Sequence, residues 1–297
     1  DPAKAYVAGL RYQLGDDKPY IYKTEDYGQS WTLLTTGSNG IPADYPTRVV
    51  REDPNRPGLL YAGTEFGLFV SFDDGANWMS FQNNLPNTPI TDIKLHQNDL
   101  VMSTMGRGFW ILDNISSLGG MANLSQIMET ENISAFLFKP EDASRMRYRM
   151  RGGGTQPDYP NPGVTIDYYL VETIGDVKLE IINEQGRVVK AFTSGKPEAV
   201  ESLERDMATG FTNPPPSSGL SKKAGLNRFS WNMRHHSGWN KNEKRAYRGN
   251  GPMVSTGTFT ARLSANGMVL SKNFEVMLDP RNSLVSDADV KAQETLA

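Results

Sequence analysis

The sequence predicts an all-β protein: the last blades of a β-propeller, then a β-sandwich. Three observations predict it. The pattern Ser or Thr, any residue, Asp, any residue, Gly, two residues, Trp occurs twice, as TEDYGQSW from Thr24 to Trp31 and SFDDGANW from Ser71 to Trp78. The copies begin 47 residues apart (71 minus 24), and periods of roughly 40–50 residues mark propellers and solenoids. From Gly163 onward, short alternating or apolar runs follow one another with no helix of note among them, as in a sandwich.

Each Asp-containing turn follows an apolar strand pair, AYVAGL then PYIYKT, and LLYAGT then GLFVSF. Each precedes a further strand, WTLLTT or WMSFQNN. A third unit, DLVMSTMGRGFWILD, aligns VMST with YAGT and FWILD with LFVSFD; its turn keeps Asp113 and loses the Gly and the Trp. A four-stranded antiparallel sheet of about 45 residues makes one blade. Two blades and part of a third close no ring. The first residues, DPAKAYVAGL, and the last, SLVSDADVKAQETLA, read as mid-protein sequence. The chain is therefore expected to be a fragment, its remaining blades coming from the same protein or a companion chain.

The propeller part is assigned to residues 1–116. A linker holding a short helix (GGMANLSQIMETEN), a strand (ISAFLFKP) and a basic Gly/Pro-rich stretch takes 117–162. The sandwich takes 163–280, with strands VTIDYYLVE, VKLEIIN, RVVKAF, NRFSWNM, TFTARLS and MVLSKNFEVML. This number and texture of strands fit the immunoglobulin or fibronectin type. Residues 281–297 begin a helix, with Ser286 as N-cap and Asp287 and Asp289 in its first turn.

In the repeated turn, Gly28 and Gly75 are expected to supply a positive φ. Asp26 and Asp73 accept backbone N–H groups two or three residues on, and Thr24 and Ser71 bond locally. Trp31 and Trp78 start the next strand and bury their rings between blades. Every position has a folding role, and an active site is normally unique where a scaffold device repeats. The turn reads as structural, not catalytic.

The pattern resembles the Asp-box, or bacterial neuraminidase repeat, of sialidases, sortilin-type receptors, xyloglucanase-type glycosidases and a photosystem II assembly factor. The longer phrases RVVREDPNRPGLLYAGTEFGLFVSFDDGANW and DLVMSTMGRGFWILD resemble a family of large bacterial exported proteins. These carry sortilin-like Asp-box propellers and are often labelled glycosyl hydrolases. The stretches GRVVKAF, AGLNRFSWNMR and GTFTARLSANG resemble the domain that follows the propeller in that family. The resemblance covers nearly the whole chain. It implies a propeller, a following sandwich and an exported, periplasmic or cell-surface location, and it is weak for activity.

A glycosidase needs two carboxylates across a cleft; candidates away from the turns are Asp44, Glu52, Asp53, Glu65, Asp92 and Asp99. A sialidase also needs three convergent arginines, and Arg11, Arg48, Arg51 and Arg107 fall in or near the blades. Arg11 and Tyr12 in AGLRYQ, Glu65 and Phe66 in GTEFG, and Arg107 in MGRGFW occupy equivalent places in successive units. They are expected to line one mouth of the channel and bind ligand. The leading reading is a non-catalytic binding or scaffold module for a protein, peptide or glycan. The competing one is a glycoside hydrolase with its catalytic residues mostly in other blades.

Composition narrows the rest. Apolar residues make up 38% of the 297 and charged residues 22%, enough for a sizeable core. The net charge of -3 has no basic block, so nucleic-acid binding is not expected. No apolar run approaches the roughly 18 residues that span a bilayer, so membrane insertion is not expected either. Cysteine is absent, which excludes disulfides and Cys-ligated metals. No cofactor or metal is expected. His96, His235 and His236 are the only histidines, and the adjacent pair would face opposite ways in a strand. No helix is expected after GRG, which excludes a phosphate loop. No nucleophile elbow is present. Asn114, Asn123 and Asn132 head glycosylation sequons. The loop HHSGWNKNEKRAYRG, with Trp239 and Tyr247, reads as a contact surface.

Overall fold

The computed structural model describes residues 1–131, 133–146, 162–173, 175–195, 217–236, 239–240, 245–246 and 251–296. The described residues are all-β apart from two α-helices and one 3-10 turn, and they form two compact units, Asp1–Gln126 and Ile127–Ala297.

The first unit holds three antiparallel meanders. The first sheet is β1 (Ala5–Gly9), β2 (Tyr20–Thr24) and β3 (Thr32–Leu33). The second is β4 (Thr47–Asp53), β5 (Arg56–Thr64), β6 (Gly67–Ser71) and β7 (Met79–Ser80), and the third is β8 (Ile90–His96), β9 (Asp99–Thr104) and β10 (Phe109–Leu112). In every sheet the strands neighbour in chain order.

Register makes the sheets equivalent residue by residue. β4 slips against β5 between Thr47 and Val49, and β8 slips against β9 between Ile90 and Asp92. Past each slip the same bonds recur: Glu65 N–H donates to Pro46 O and Met105 N–H to Pro89 O, both at 3.0 Å. Thr64 and Thr104 donate their hydroxyls to Gly67 O (3.0 Å) and Gly108 O (2.7 Å). β4, β5 and β6 thus correspond to β8, β9 and β10. Through the Asp turns, β1, β2 and β3 correspond to β5, β6 and β7.

The two-residue period of β5 divides its side chains between two cores. Leu59 and Tyr61 join Ile93, Leu100 and Met102 of the third sheet, while Leu60 and Ala62 join Ile21 and Ile41 on the first-sheet side. Sheets meet through β1 and β2 on β4, and through β4 and β5 on β8. They therefore approach most closely at their leading strands.

Helix α1 (Ser116–Glu131) follows β10, in agreement with the expected helix. In the second unit, β11 (Ala135–Leu137) pairs with β13 (Val164–Leu170), which pairs with β17 (Gly225–Trp231). A larger sheet is built from β12 (Ala143–Ser144), β14 (Lys178–Ile182), β15 (Val188–Thr193), β16 (Ser217–Ser218), β20 (Gly257–Ala265) and β21 (Met268–Met277), in the order β12-β21-β20-β14-β15-β16. A short pair, β18 (Trp239–Asn240) and β19 (Arg245–Ala246), stands beside them in sequence. The two main sheets enclose one core in which Trp231 packs on Phe259 and Phe274, with ring centroids 5.7 and 6.2 Å away. This is a β-sandwich, and each of the six expected runs forms one of its strands.

Two boundaries differ from expectation. β11 and β12 lie within 117–162, yet both are hydrogen-bonded into the sandwich, which therefore begins at Ala135. Helix α2 (Asp287–Leu296) is not a separate segment: Arg145 donates to Gln293 (3.0 Å), and Ser255 N–H donates to Glu294 (3.2 Å). Its N-terminus is as expected. Ser286 Oγ accepts Asp289 N–H (3.3 Å), and Asp289 Oδ2 accepts Ser286 N–H (2.9 Å) and Oγ–H (2.6 Å), closing a reciprocal cap. The rest of the basic linker, Asn132, and most of the loop containing Tyr247, with the side chain of Trp239, lie outside the described residues.

Candidate functional site

The repeated turn is one network built twice. Thr24 Oγ–H donates to Asp26 Oδ1 and Ser71 Oγ–H to Asp73 Oδ1, both at 2.8 Å. Gly28 N–H and Gly75 N–H each donate back to that hydroxyl at 2.9 Å. Oδ1 of each Asp also accepts an N–H, from Ser30 (2.9 Å) and Asn77 (2.8 Å). Oδ2 accepts the side chain of the same residue, the Ser30 hydroxyl at 2.6 Å or the Asn77 amide at 2.8 Å. Gly28 and Gly75 sit at φ 85° and 88°, the conformation expected of them. The bonded N–H lies four residues beyond the Asp rather than two or three; the loop carries two consecutive positive-φ residues (Tyr27 with Gly28, Asp74 with Gly75) and is wider than a simple Asx turn.

These bonds hold both carboxylates ionised. The Ser30 hydroxyl, then its N–H and Thr24, bring Asp26 down to about 2. Burial works to raise Asp73, but the Asn77 side chain and N–H and the Ser71 hydroxyl outweigh it and keep it below the usual carboxylate range. A carboxylate so fully engaged is a poor general acid.

The tryptophans differ. Trp78 is 3% exposed and its Nε1–H reaches Leu34 O of the neighbouring sheet at 3.3 Å. Trp31 is 44% exposed and donates to Gly28 O within its own turn at 3.2 Å. The expected burial of Trp31 between blades is therefore not met. Trp78 rests on the first sheet, and no sheet among the described residues stands on the corresponding side of Trp31.

Asp74 N–H donates to Gly58 O (2.9 Å), which puts the second turn beside the β4–β5 hairpin. A polar cluster gathers there. Lys4 binds Glu52 (2.8 Å) and Asp74 (3.4 Å), Lys23 binds Asp74 (2.6 Å), and Tyr6 donates its hydroxyl to Asp74. Burial, then the bond to Asp74, drives the Tyr6 phenol upward, so it is held as a donor and not as a nucleophile. Glu52 and Asp74 stay below their ordinary range despite burial, through Lys4 and Lys23 respectively. Sequence pattern did not single out this cluster, because its members join only when β1 and β2 pack on β4 and β5.

The opposite end carries the expected mouth residues. Arg48 donates Nε and Nη2 to Glu65 Oε1, each at 2.6 Å, and its guanidinium lies 5.8 Å from the Tyr12 ring. Phe66 packs on Tyr45 with ring centroids 4.6 Å apart. Arg48 thus gathers Tyr12 and Glu65, and Phe66 follows Glu65 in the same hairpin. Arg11 turns away to Asp16 (3.5 Å) and the Tyr20 ring (5.8 Å). Arg107 is exposed between Gly106 and Gly108. Its carbonyl accepts Trp110 Nε1–H at 3.1 Å, and no ion-pair partner for its guanidinium appears among the described residues. Tyr12, Leu14, Phe66 and Met105 are exposed on these same connections. This end combines exposed apolar side chains with the exposed Arg107.

The remaining glycosidase candidates have other work. Asp92 is bonded to Arg51 (2.6 Å), Asp53 accepts Asn55 N–H (2.8 Å), and Asp99 accepts Asn114 N–H (2.9 Å). Asp44 is exposed. No group of three or more metal-ligating side chains lies among the described residues. In the second unit His235 bonds Glu294, and His236 Nε2 accepts Ala191 N–H at 3.1 Å. Burial, with Lys190 and His235 behind it, lowers His236 to about 4. No described helix is long and apolar enough to cross a membrane.

No family model and no curated protein matches the chain. Among solved structures it is similar to CopC from Methylosinus trichosporium OB3b, at 9% identity and TM-score 0.22, over 51% of this chain and 99% of that one. It is also similar to the extracellular domain of the putative hybrid two component system BT4673 from B. thetaiotaomicron, at 12% identity and TM-score 0.26, over 90% of this chain. A second structure of the BT4673 extracellular domain gives 12% and 0.25 over 93%. The chain spans about a third of the BT4673 domain, 34% and 35% in the two structures. At these TM-scores the likenesses carry no argument about function.

Proposed function

We propose that the first unit is part of an Asp-box β-propeller. In this reading the chain is a non-catalytic binding or scaffold module of an exported or cell-surface bacterial protein, similar to the large sortilin-like family. The observation that carries the reading is the division of labour between the two ends of the sheets. At one end, Asp26 and Asp73 spend both carboxylate oxygens on their own turns. At the other, Tyr12, Phe66 and Arg107 are exposed on three equivalent connections. Rigid strands that present variable loops at one end are a common way to hold a binding surface. A protein, peptide or glycan is the expected ligand, and further sheets complete the ring.

The test is ligand capture by the whole chain on peptide and glycan arrays, alongside hydrolysis assays with sialosides and β-glucans. Capture that falls when Phe66→Ala and Arg107→Ala are introduced, with no turnover, supports the module. Turnover that depends on Glu65 or Arg107 would overturn it in favour of a glycoside hydrolase.

A further inference from the structure

We propose that the cleft between the tips of the β4–β5 and β8–β9 hairpins binds a neutral pyranose sugar. The site is separate from the binding surface proposed above: Asp53 ends β4, and Arg48 stands near the start of that strand. It holds or fails independently of that surface.

The cleft has a volume of about 340 Å³, within the range of roughly 300–1,000 Å³ that small-molecule sites occupy. One wall is the hairpin tip at Asp53, the other is the tip that follows Leu95, and Ile115 lines the space as well. Both walls are fixed. Gln97 and Asn98 form a two-residue turn with φ 49° and 62°. Ile115 N–H donates to Asn98 O (2.7 Å), and Asn55 Nδ2–H donates to Asn98 Oδ1 (3.1 Å), which joins the two tips. A preformed cleft of this kind binds without first ordering its walls.

Asp53 is the group that lacks a partner. It is 8% exposed, and among the described residues it forms no ion pair and one side-chain hydrogen bond, from Asn55 N–H to Oδ1 at 2.8 Å. Arg56 is its register partner across the hairpin but sends a guanidinium N–H to Leu118 O (3.2 Å). On the core side the Tyr61 hydroxyl is buried, and the charge of Asp53 adds to burial in raising its phenol, yet it makes no hydrogen bond among the described residues. Oδ2 of Asp53 is thus a nearly buried acceptor without a bonded donor, which costs free energy until one is supplied.

The cleft suits a hydroxyl donor without net charge. The positive charge of Arg56 is felt at Asp53 and offsets it, which disfavours a cation, and Asp53 itself disfavours an anion. The Asn55 and Asn98 amides and the His96 imidazole set donors and acceptors side by side around the carboxylate, a pattern that neighbouring hydroxyls on one ring can match. Pro54, Leu95 and Ile115 add apolar surface for the C–H face of that ring. A pyranose carries both features.

Saturation-transfer NMR on the whole chain tests this, with free D-glucose, D-galactose, D-mannose and N-acetylglucosamine as probes. Disaccharides that end in the same rings form a second arm, which separates a free sugar from the terminal ring of a glycan. At least one of these sugars is expected to bind at millimolar concentration. Asp53→Asn keeps an acceptor for Asn55 N–H and should weaken binding by about tenfold or more. His96→Ala, at an exposed position, should weaken it with unchanged thermal unfolding. Phe66→Ala and Arg107→Ala should leave it as in the wild type. The absence of sugar binding up to tens of millimolar, or binding that survives both Asp53→Asn and His96→Ala, overturns the proposal. So does binding of calcium chloride or butylammonium in place of the sugars. Sugar binding lost in Phe66→Ala and kept in Asp53→Asn would overturn it while leaving the binding-module reading standing.

Discussion

Trp78 and Trp31 occupy the same place in two copies of one turn and make different contacts: Trp78 donates to Leu34 O in the adjacent sheet, and Trp31 to Gly28 O in its own loop. Their energetic roles should differ accordingly. Trp78→Ala empties a packed site between sheets and is expected to cost about 3–5 kcal/mol. Trp31→Ala removes a half-exposed ring and is expected to cost under about 1 kcal/mol. Urea unfolding of the two variants checks this.

Gly40 is the second point where the first sheet's trailing loop meets the second sheet. It has φ 114°, and a Cβ there would lie 1.8 Å from Trp78 O. Gly40→Ala combines backbone strain with a clash against main chain. It is expected to destabilise by about 3 kcal/mol or more. A melting temperature within a degree or so of wild type would contradict this placement.

Arg48 and Glu65 form a half-buried ion pair at the end of the sheets away from the Asp turns. Removing one partner leaves the other charge poorly solvated, so Glu65→Gln is expected to cost about 1–2 kcal/mol. The double variant Arg48→Met, Glu65→Gln should cost less than the sum of the singles. Additive losses in a double-mutant cycle would show that the pair is not coupled.

His236 gives the second unit an acid sensitivity of defined sign. Its folded value of about 4 lies below the ordinary 6.5, so the unfolded chain binds more protons between them. The stability it supports is complete above about pH 6.5 and is lost as pH falls through about 4. At 1.4 kcal/mol per pKa unit, discounted for partial solvent screening, the loss is on the order of 2 kcal/mol. His236→Gln keeps an acceptor for Ala191 N–H without titrating. The difference in urea midpoint between pH 7.5 and pH 4.5 should shrink in that variant.

How much was legible in the sequence follows the range of the interactions. The Asp turn is read easily because its network closes between Thr24 and Ser30, or Ser71 and Asn77, so eight residues contain their own explanation. The six sandwich runs are long enough to show alternation. β12, with two residues, is not; β11 lies within the expected strand ISAFLFKP, and only its pairing with β13 makes it part of the sandwich. Arg48–Glu65, Lys4–Glu52 and Lys23–Asp74 span 17, 48 and 51 residues and exist only after strands pair and sheets stack. The contrast between Trp31 and Trp78 is equally invisible, since their local patterns are alike and only their neighbours differ.

The structural role of the repeated Asp is tested most directly by equilibrium urea unfolding of Asp73→Ala, with Asp26→Ala beside it. Loss of the Asp73 carboxylate leaves Asn77 N–H and the Ser71 hydroxyl without their acceptor, and the expected cost is about 1–3 kcal/mol. Asp26→Ala should move the midpoint in the same direction by less, because its turn is more exposed. Ligand capture by the folded fraction should be unchanged in both. Wild-type stability in both variants, together with lost turnover of a glycoside, would contradict the account and return these residues to catalysis.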